Sequence, residues 1–413
     1  MTGREFFATR TVAEALAGFS PTLRTPVETV PLASALRRVP ARDVLAPGPL
    51  PGFARSTVDG YAVRAADTYG ASEGLPTYLD VIGAVRMGAE PDVQVVSGSA
   101  VEMPTGGVLP PGADAVVMVE YTSQTMPAAV EVLRPVAPGS GVIRANDDVA
   151  AGAVLVPAGR PLRAPDLGML AAAGVIEVAV HARPRVGILS TGDEVVPPAT
   201  EVLRPGQVRD AIASALAGLV LDAGGSPVPC GIVPDDPPAL RRALQAALER
   251  TDLVVVSAGS SVGARDATAD VVAALGEPGV FCHGIALKPG KPTLLAECDG
   301  VPVIGLPGNP LSAMVVFRLV GAPVVWRLAG CPTPPPEPSM TAVLARDVPS
   351  EAGRLDVVQV QIVPDQDGRV RARPLFGASA LLSVLTRADG YLVVPEPATG
   401  LAAGADVPVT LYR

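Results

Sequence analysis

The stretch RVGILSTGDE, residues 185–194, decides the fold, because an apolar run there ends abruptly in polar residues. Next, a helix with one apolar stripe is predicted over 208–220, followed by a second strand, Val228–Val233. Pro237 begins another helix, and Leu253–Ser257 is a third, almost wholly apolar strand. This order of strands and helices predicts a mostly parallel sheet with helices on both sides, which is a three-layer α/β/α domain.

The rest of the chain divides around this domain. A last helix of the domain is expected from Asn309 to about Leu328, and 331–338, with five prolines, reads as a linker to an all-β tail. Upstream, short apolar runs alternate with turns, and 11–18, 31–38 and Ala164–Ala173 read as helical stretches. We therefore expect a split N-terminal domain over 1–52 and 153–183, and an inserted β-rich domain over 53–152. The α/β domain is expected over 184–330 and a C-terminal β domain over 331–413.

Composition limits the function. Of 413 residues, 48% are hydrophobic and 18% charged, as in a chain that buries a sizeable core. The net charge of −9 argues against nucleic acid as a partner. Four isolated cysteines predict neither a zinc site nor disulfides, and charges such as Glu177 and Arg318 interrupt the apolar runs. We expect a soluble, cytoplasmic protein without a membrane segment.

Two glycine-rich loops are candidate anion sites. LKPGKP, residues 287–292, places Lys288 and Lys291 beside a turn around Gly290 that would suit a phosphate, although such a turn is also common at a solvated surface. In GLPGNP, residues 305–310, simple helix capping by Asn309 and Pro310 accounts for the sequence, while the glycine also permits close approach of a ligand.

Acidic residues follow the predicted strands. Thr191, Gly192, Asp193 and Glu194 end the first strand, where ligands bind in open α/β sheets. Since one aspartate suffices to cap the helix that begins at Pro237, Asp235 is available for a metal ion. Asp266 is expected to open a further helix. Each of these residues has a second interpretation as a turn or cap residue.

One motif indicates a different chemistry. GSSVG, residues 259–263, matches the GxSxG pattern of hydrolases and lies between a strand and a helix. A serine hydrolase using Ser261 would need a histidine downstream, and His283 is the one candidate. Its position on the next strand, rather than in a late loop, makes this hydrolase a remote alternative.

Taken together, the motifs resemble one family. VDGYAV, PTGGVLPPGADAVV, RVGILSTGDE, DDP, SSVG, LKPGKP and GLPGNPLSA occur in this order over nearly the whole chain. The series is similar to the molybdopterin molybdenumtransferases, which include bacterial MoeA and the gephyrin E domain. The resemblance implies four domains, the last of them a β-barrel.

The resemblance also implies an activity and a site. The expected enzyme is a homodimer that takes adenylylated molybdopterin and molybdate, uses Mg²⁺ and releases AMP. The family's functional polar positions correspond to Asp59, Thr105, Asp148, Glu194, Asp235 and Asp266, of which Glu194, Asp235 and Asp266 would bind the metal. Substrate-binding positions would be Thr191, Gly192, Asp193, Ser261, Gly263, Lys288, Gly290, Lys291, Pro307, Gly308, Asn309 and Pro310.

Four departures from the family pattern leave a second alternative open. Gly284 stands where a cation is usual, Ala211 and Ile212 replace the residues that usually open a helix, and Ala258 begins an altered serine-glycine stretch. In 143–148 the expected arginine is shifted by one residue. A divergent paralogue, which binds a pterin-like ligand or a partner without efficient metal insertion, would share these features.

Overall fold

The computed structural model describes residues 9–126, 128–258, 262–364 and 368–412. Its centre is a six-stranded sheet, in which helices separate successive strands along the chain from Arg185 to His283. Counted by position across the sheet, the first four strands are parallel, and each of the last two is antiparallel to its neighbours. In spatial order the strands are Ser226–Val233, Arg185–Thr191, Leu253–Ala258, Val301–Pro307, Leu294–Cys298 and Pro278–His283. The predicted mostly parallel sheet is confirmed.

Helices cover both faces of this sheet, because its central strands are apolar on both sides. Val255 faces one core cluster and Val254 faces the other, as successive side chains on a strand must. One face is covered by Val12–Gly18, Ala211–Asp222 and the continuous helical run Pro310–Leu328. Pro237–Leu248 and Val262–Ala273 cover the other. This arrangement is the expected three-layer architecture.

Capping residues set two of these helix starts. Asp210 accepts a hydrogen bond from the Ala213 amide at 3.0 Å, and Asp236 accepts one from the Ala239 amide at 2.9 Å. Two local expectations were wrong. Val208 belongs to a short strand, Val208–Arg209, which pairs with Val195–Val196, so the helix begins later. Asp266 lies inside its helix, which already begins at Val262, and does not cap it.

The helical run Pro310–Leu328 has the expected extent but is more apolar than expected. Its 19 residues form two α-helical segments, Pro310–Val316 and Ala322–Leu328, joined by a π-helical segment, Phe317–Gly321. By length and composition alone it is able to cross a membrane, so the expectation that charges keep every apolar run short was wrong here. However, 67% of its most apolar window is buried against the sheet and the C-terminal domain, as in a core helix.

The C-terminal part is a closed five-stranded barrel. It closes because Leu355–Pro364 pairs with both Val370–Pro374 and Gly390–Val394. The two remaining strands are Ser339–Leu344 and Asp406–Leu411. Outside the barrel lie a short antiparallel pair, Val348–Pro349 with Gly400–Leu401, and a short helix, Leu382–Thr386. A further short strand, Leu287–Lys288, leaves the α/β part and pairs in parallel with Leu355–Pro364.

Two separated segments form the N-terminal part. Val27–Pro31 pairs with Glu177–His181, and Val44–Leu45 pairs with Val154–Val156, so residues on either side of the insertion share one small core. The helix Ala164–Ala172 packs on it. The predicted helix over 31–38 was wrong: one 3₁₀ turn, Leu32–Ser34, is followed by Arg37 with a positive φ of 62°, which ends any helical path.

The inserted part is a six-stranded sheet with its own core. It joins the N-terminal part through an antiparallel ribbon, in which Arg55–Ser56 pairs with Val142–Ile143 and Leu50 forms a bridge with Val149. The 3₁₀ turns are Ala65–Thr68 and Val119–Tyr121. In spatial order the strands are Ala115–Met118, Gly60–Val63, Ser99–Met103, Thr77–Ala84, Ala129–Val132 and Thr122–Met126.

One buried carboxylate stabilises the N-terminal part. Asp166 accepts hydrogen bonds from Arg160 at 2.7 and 2.8 Å and from the Arg163 amide at 2.8 Å. These contacts, with that of Arg160 the largest, hold the pKa of Asp166 well below its usual range. Because the folded-state pKa is lowered, the stability from this group is present above the unfolded pKa, about 3.9, and is lost as the pH falls.

We expect Asp166→Asn to destabilise the protein by roughly 1.5–3 kcal/mol at pH 7, since hydrogen bonds to a charged group are lost. Thermal denaturation at a series of pH values should show this difference shrinking below about pH 4. Glu73→Gln is the control, because Glu73 and Arg134 form an ion pair with both side chains exposed. A pH-independent difference for Asp166→Asn would contradict the assignment.

Candidate functional site

The main cleft lies between the α/β part and the barrel and has a volume of about 770 Å³. Three parts of the chain form it: the loop at 285–292, the first turn of the helix at Pro310, and barrel residues of 349–359 and 375–379. Of the predicted site residues, the cleft is lined by Lys288, Gly290, Lys291 and Asn309.

Packing fixes the loop that carries the two lysines. Gly290 has a φ of +135°, and a Cβ there would lie 2.6 Å from Cγ2 of Val316, so the loop lies against the helix where no larger residue fits. The Thr293 hydroxyl donates to the Gly290 carbonyl at 2.7 Å. Lys288 and Lys291 therefore extend from a rigid turn, and both side chains are exposed. An anion in the cleft meets two positive charges.

The barrel contributes a third cation, which the sequence analysis missed. Arg354 lines the same cleft, and its Nε donates to Oδ1 of Asp356 at 2.9 Å. Lys288 Nζ lies 3.6 Å from the other oxygen of Asp356. The alternation of Arg354 and Asp356 was the available signal, but nothing local in the sequence indicates that this strand meets the lysine loop.

The barrel also reaches the start of the apolar helix. Asn309 occupies the N-cap position but makes no capping hydrogen bond with its side chain, which corrects the expected capping role. The Leu311 amide donates instead to the Ser379 carbonyl of the barrel at 3.1 Å. Pro307 ends the preceding strand, and Gly308 and Pro310 complete the turn. The Asn309 side chain lines the cleft with its polar group available to a ligand.

The acidic residues gather at the carboxyl ends of the neighbouring strands. The Asp235 amide donates to Oδ1 of Asp193 at 3.2 Å, and the Thr191 hydroxyl donates to the Ser257 carbonyl at 3.2 Å. Partial desolvation, followed by the charges of Glu194 and Asp193, raises the pKa of Asp235 although its side chain reaches solvent. Three carboxylates are thus brought within electrostatic range of one another.

These acids are not part of the main cleft lining. Gly192 and Asp193 line a second pocket of about 730 Å³, which is mostly apolar and runs along the strand Ser226–Val233. Within the described ranges, no three His, Cys, Asp or Glu side chains are grouped so as to hold a metal ion. Ser261 lies outside the described residues, and the helix Val262–Ala273 carries Gly263 and Asp266, whose side-chain surroundings are likewise outside the description.

Asp59 and Thr105 form a pair on the inserted part. Oδ1 of Asp59 accepts hydrogen bonds from the amide of Thr105 at 2.7 Å and from its hydroxyl at 2.9 Å. These bonds, the amide first, lower the pKa of Asp59, so an exposed carboxylate is kept ionised. Asp148 lies elsewhere, in a cavity beside Phe53 and Met169. None of the three lines the main cleft of its own chain.

Gly284 is required by the backbone. Its φ is +113°, in a region that L-residues rarely adopt, and its amide donates to the Thr293 carbonyl at 2.8 Å. A lysine at this position would be strained. Gly284 itself does not line the main cleft.

Family models match three successive parts of the chain. The MoeA N-terminal region (domain I and II) matches residues 10–174, a probable molybdopterin binding domain matches 187–327, and the MoeA C-terminal region (domain IV) matches 341–412. Together these models cover most of the chain.

Named relatives agree with this match. Molybdopterin molybdenumtransferase 2 of Mycobacterium tuberculosis is 35% identical over 92% of this chain and 94% of its own length. The molybdopterin molybdenumtransferase of Bacillus subtilis is 31% identical over 94% and 90%. The crystal structure of a molybdopterin biosynthesis MoeA protein from Pyrococcus horikoshii superposes with a TM-score of 0.84, at 31% identity, over 98% of this chain and 100% of that one. These findings give no support to a serine hydrolase.

We expect Gly284→Ala to destabilise the protein by roughly 1–3 kcal/mol, because the new Cβ is incompatible with the positive φ. Gly284→Lys should be destabilised at least as much. Urea denaturation measures both effects. Gly48→Ala is the matched control, since nothing lies within 4 Å of a Cβ built there and its φ is ordinary. Equal stability of the Gly284 and Gly48 variants would show that the backbone does not require glycine at 284.

Proposed function

The chain belongs to the molybdopterin molybdenumtransferase family of molybdenum cofactor biosynthesis enzymes, and on that premise we propose that it places molybdenum from molybdate onto adenylylated molybdopterin and releases AMP. One observation supports this proposal most strongly. Lys288, Lys291 and Arg354, from two different parts of the fold, line a single cleft of about 770 Å³ in a protein whose net charge is −9.

This charge distribution suits the two anionic substrates. Molybdate is a small dianion, and the adenylylated pterin carries a phosphoanhydride, so each requires cations and hydrogen-bond donors. Arg354 presents a planar fork of donors, and the lysines supply point charges. Asn309 adds a side-chain amide at the same cleft. The two histidines, His181 and His283, do not line the cleft. The two lysines, Arg354 and Asn309 therefore act by binding and orienting the substrates, without a histidine as a base.

Magnesium is part of the proposal. Burial raises the pKa of Asp235 most, and the charges of Glu194 and Asp193 raise it further. A hard divalent cation would offset the repulsion between these carboxylates. Glu194, Asp235 and Asp266 are the proposed ligands. When bound, Mg²⁺ would stabilise the charge that develops on the phosphate oxygens as the phosphoanhydride bond breaks. Thr191, Asp193, Ser261 and Gly263 would bind the pterin beside it.

We further propose that the enzyme is a cytoplasmic homodimer with composite sites. Asp59 and Thr105 belong to the inserted part and do not line their own chain's main cleft, although the family resemblance implies that they contribute to the site. In a two-fold dimer, the inserted part of one chain would lie over the cleft of the other. Asp59 and Thr105 of one chain would then share a site with the cleft residues of its partner.

We expect Lys291→Ala to lower AMP release at limiting molybdate by roughly ten-fold or more, because a charge-assisted contact to the anion is lost. The assay contains purified protein, adenylylated molybdopterin, molybdate and Mg²⁺, and AMP is measured.

Arg242→Ala, which removes an exposed cation from the helix Pro237–Leu248, should leave the rate unchanged. A wild-type protein that binds the substrate but releases no AMP on addition of molybdate would overturn the proposed function in favour of a ligand-binding paralogue.

Complementation tests the composite site. Asp59→Ala and Lys288→Ala homodimers should both be inactive, since every site lacks one group. A mixed dimer has one site with both defects and one site with neither, so subunit exchange should restore part of the activity.

Mixing the two variants without exchange should restore none. If mixtures shown by mass to contain heterodimers stay inactive, while heterodimers of wild type with either variant are active, then each site is built within one chain.

A further inference from the structure

Asp356 is a buried carboxylate at the base of the cleft. Its side chain is 4% exposed, yet it lines the cleft beside the lysine loop. An isolated charge in such a place is strongly unfavourable unless cations or hydrogen-bond donors surround it.

Two cations from different parts of the chain meet this carboxylate. Arg354 Nε donates to Oδ1 at 2.9 Å, and Lys288 Nζ lies 3.6 Å from Oδ2. Arg354 is also held by Glu351, whose Oε2 lies 2.8 Å from Nη1. The Lys288 side chain, by contrast, is 58% exposed and its amine is beyond normal hydrogen-bond distance from Asp356. Arg354 is thus fixed by hydrogen bonds, while Lys288 is held near Asp356 by charge alone, which leaves its amine able to contact an anion as well.

The backbone keeps this geometry. Lys288 pairs with Asp356 in the parallel ladder between Leu287–Lys288 and the barrel strand, and the Leu355 amide donates to the Ala286 carbonyl at 2.9 Å. The carboxylate and both cations therefore start from adjacent backbone positions. A carboxylate between two cations also offsets their mutual repulsion, which allows both to face the same side of the cleft.

We propose that Asp356 is a positioning residue for oxyanion binding, whose carboxylate holds Lys288 and Arg354 together so that both meet one bound anion. The inference rests on the proposed function, because it takes molybdate as the anion. Asp356 acts through the two cations and does not itself contact the substrate.

Removing the charge of Asp356 changes the affinity for molybdate in two opposite ways. The negative charge of Asp356 weakens the attraction of the cleft for anions, so its removal by itself would tighten molybdate binding. Removal also releases Arg354 and Lys288, which then lose the pre-organised arrangement. Positioning predicts that the second effect dominates, so that Asp356→Asn binds molybdate more weakly although the cleft becomes more positive.

The test is molybdate binding to the full-length protein by isothermal titration calorimetry, together with AMP release at varied molybdate. Asp356→Asn should raise both the Kd and the KM for molybdate by roughly ten-fold. The kcat at saturating molybdate should change far less. Asp356→Glu keeps the charge one methylene further out and should recover part of the affinity. In a Lys288→Ala background, Asp356→Asn should have a smaller effect than in the wild type, because one of its two targets is already absent.

Asp252→Asn is the matched control, since Asp252 forms a comparable pair with Arg185 at the amino end of the central strands. It should leave the Kd and KM unchanged. Thermal denaturation checks folding. If Asp356→Asn is unfolded, the same measurements are made on Asp356→Ser, and wild-type affinity in that folded variant overturns the inference.

Unchanged or tighter molybdate binding by a folded Asp356→Asn variant overturns the inference alone. A wild-type chain that binds no molybdate overturns the proposed function and this inference with it.

Discussion

The cleft depends on one short piece of parallel pairing, between Leu287–Lys288 and the first residues of the barrel strand Leu355–Pro364. Through it the lysine loop of the α/β part becomes an edge strand of the barrel sheet. Without this pairing, neither Arg354 nor Asp356 would lie beside Lys288. The contact between the Leu311 amide and the Ser379 carbonyl secures the other end of the same junction. Ladder hydrogen bonds are directional, so the two parts meet in one register.

Positively and negatively charged side chains lie at different places on the α/β part. Cations line the junction with the barrel, whereas Asp193, Glu194 and Asp235 gather at the carboxyl ends of the parallel strands. A substrate with anionic groups at one end, and a metal ion at the other, would be oriented by this separation alone. The sheet supplies the rigid frame for the acids, and the barrel supplies Arg354, which hydrogen bonds hold in place beside the lysine loop. The cleft is therefore complete only where the barrel meets the α/β part.

The sequence predicted features whose physical cause is local. The strand end at Thr191 and the helix start at Pro237 follow from hydrophobic period and capping chemistry. Predictions failed where a contact between distant parts of the chain determines the local structure or the site. The stretch 31–38 has helical composition, but pairing of Val27–Pro31 with Glu177–His181 and the positive φ of Arg37 override it. Arg354 was missed because its importance comes from a pairing some 65 residues away in the chain, across a proline-rich linker.

The antiparallel ribbon between the N-terminal part and the inserted part has a topological consequence. Leu50 and Val149 form a bridge, so the chain leaves the N-terminal part and returns to it at adjacent points. For the remainder of the protein, the whole insertion therefore acts as a tight turn. Closing so large a loop costs chain entropy, and the contacts in the ribbon and in the insertion's own core offset this cost. The two halves of the N-terminal part are therefore neighbours in space although they are distant in sequence. An insertion joined in this way can change in size and sequence with little effect on the contacts within the body that carries it.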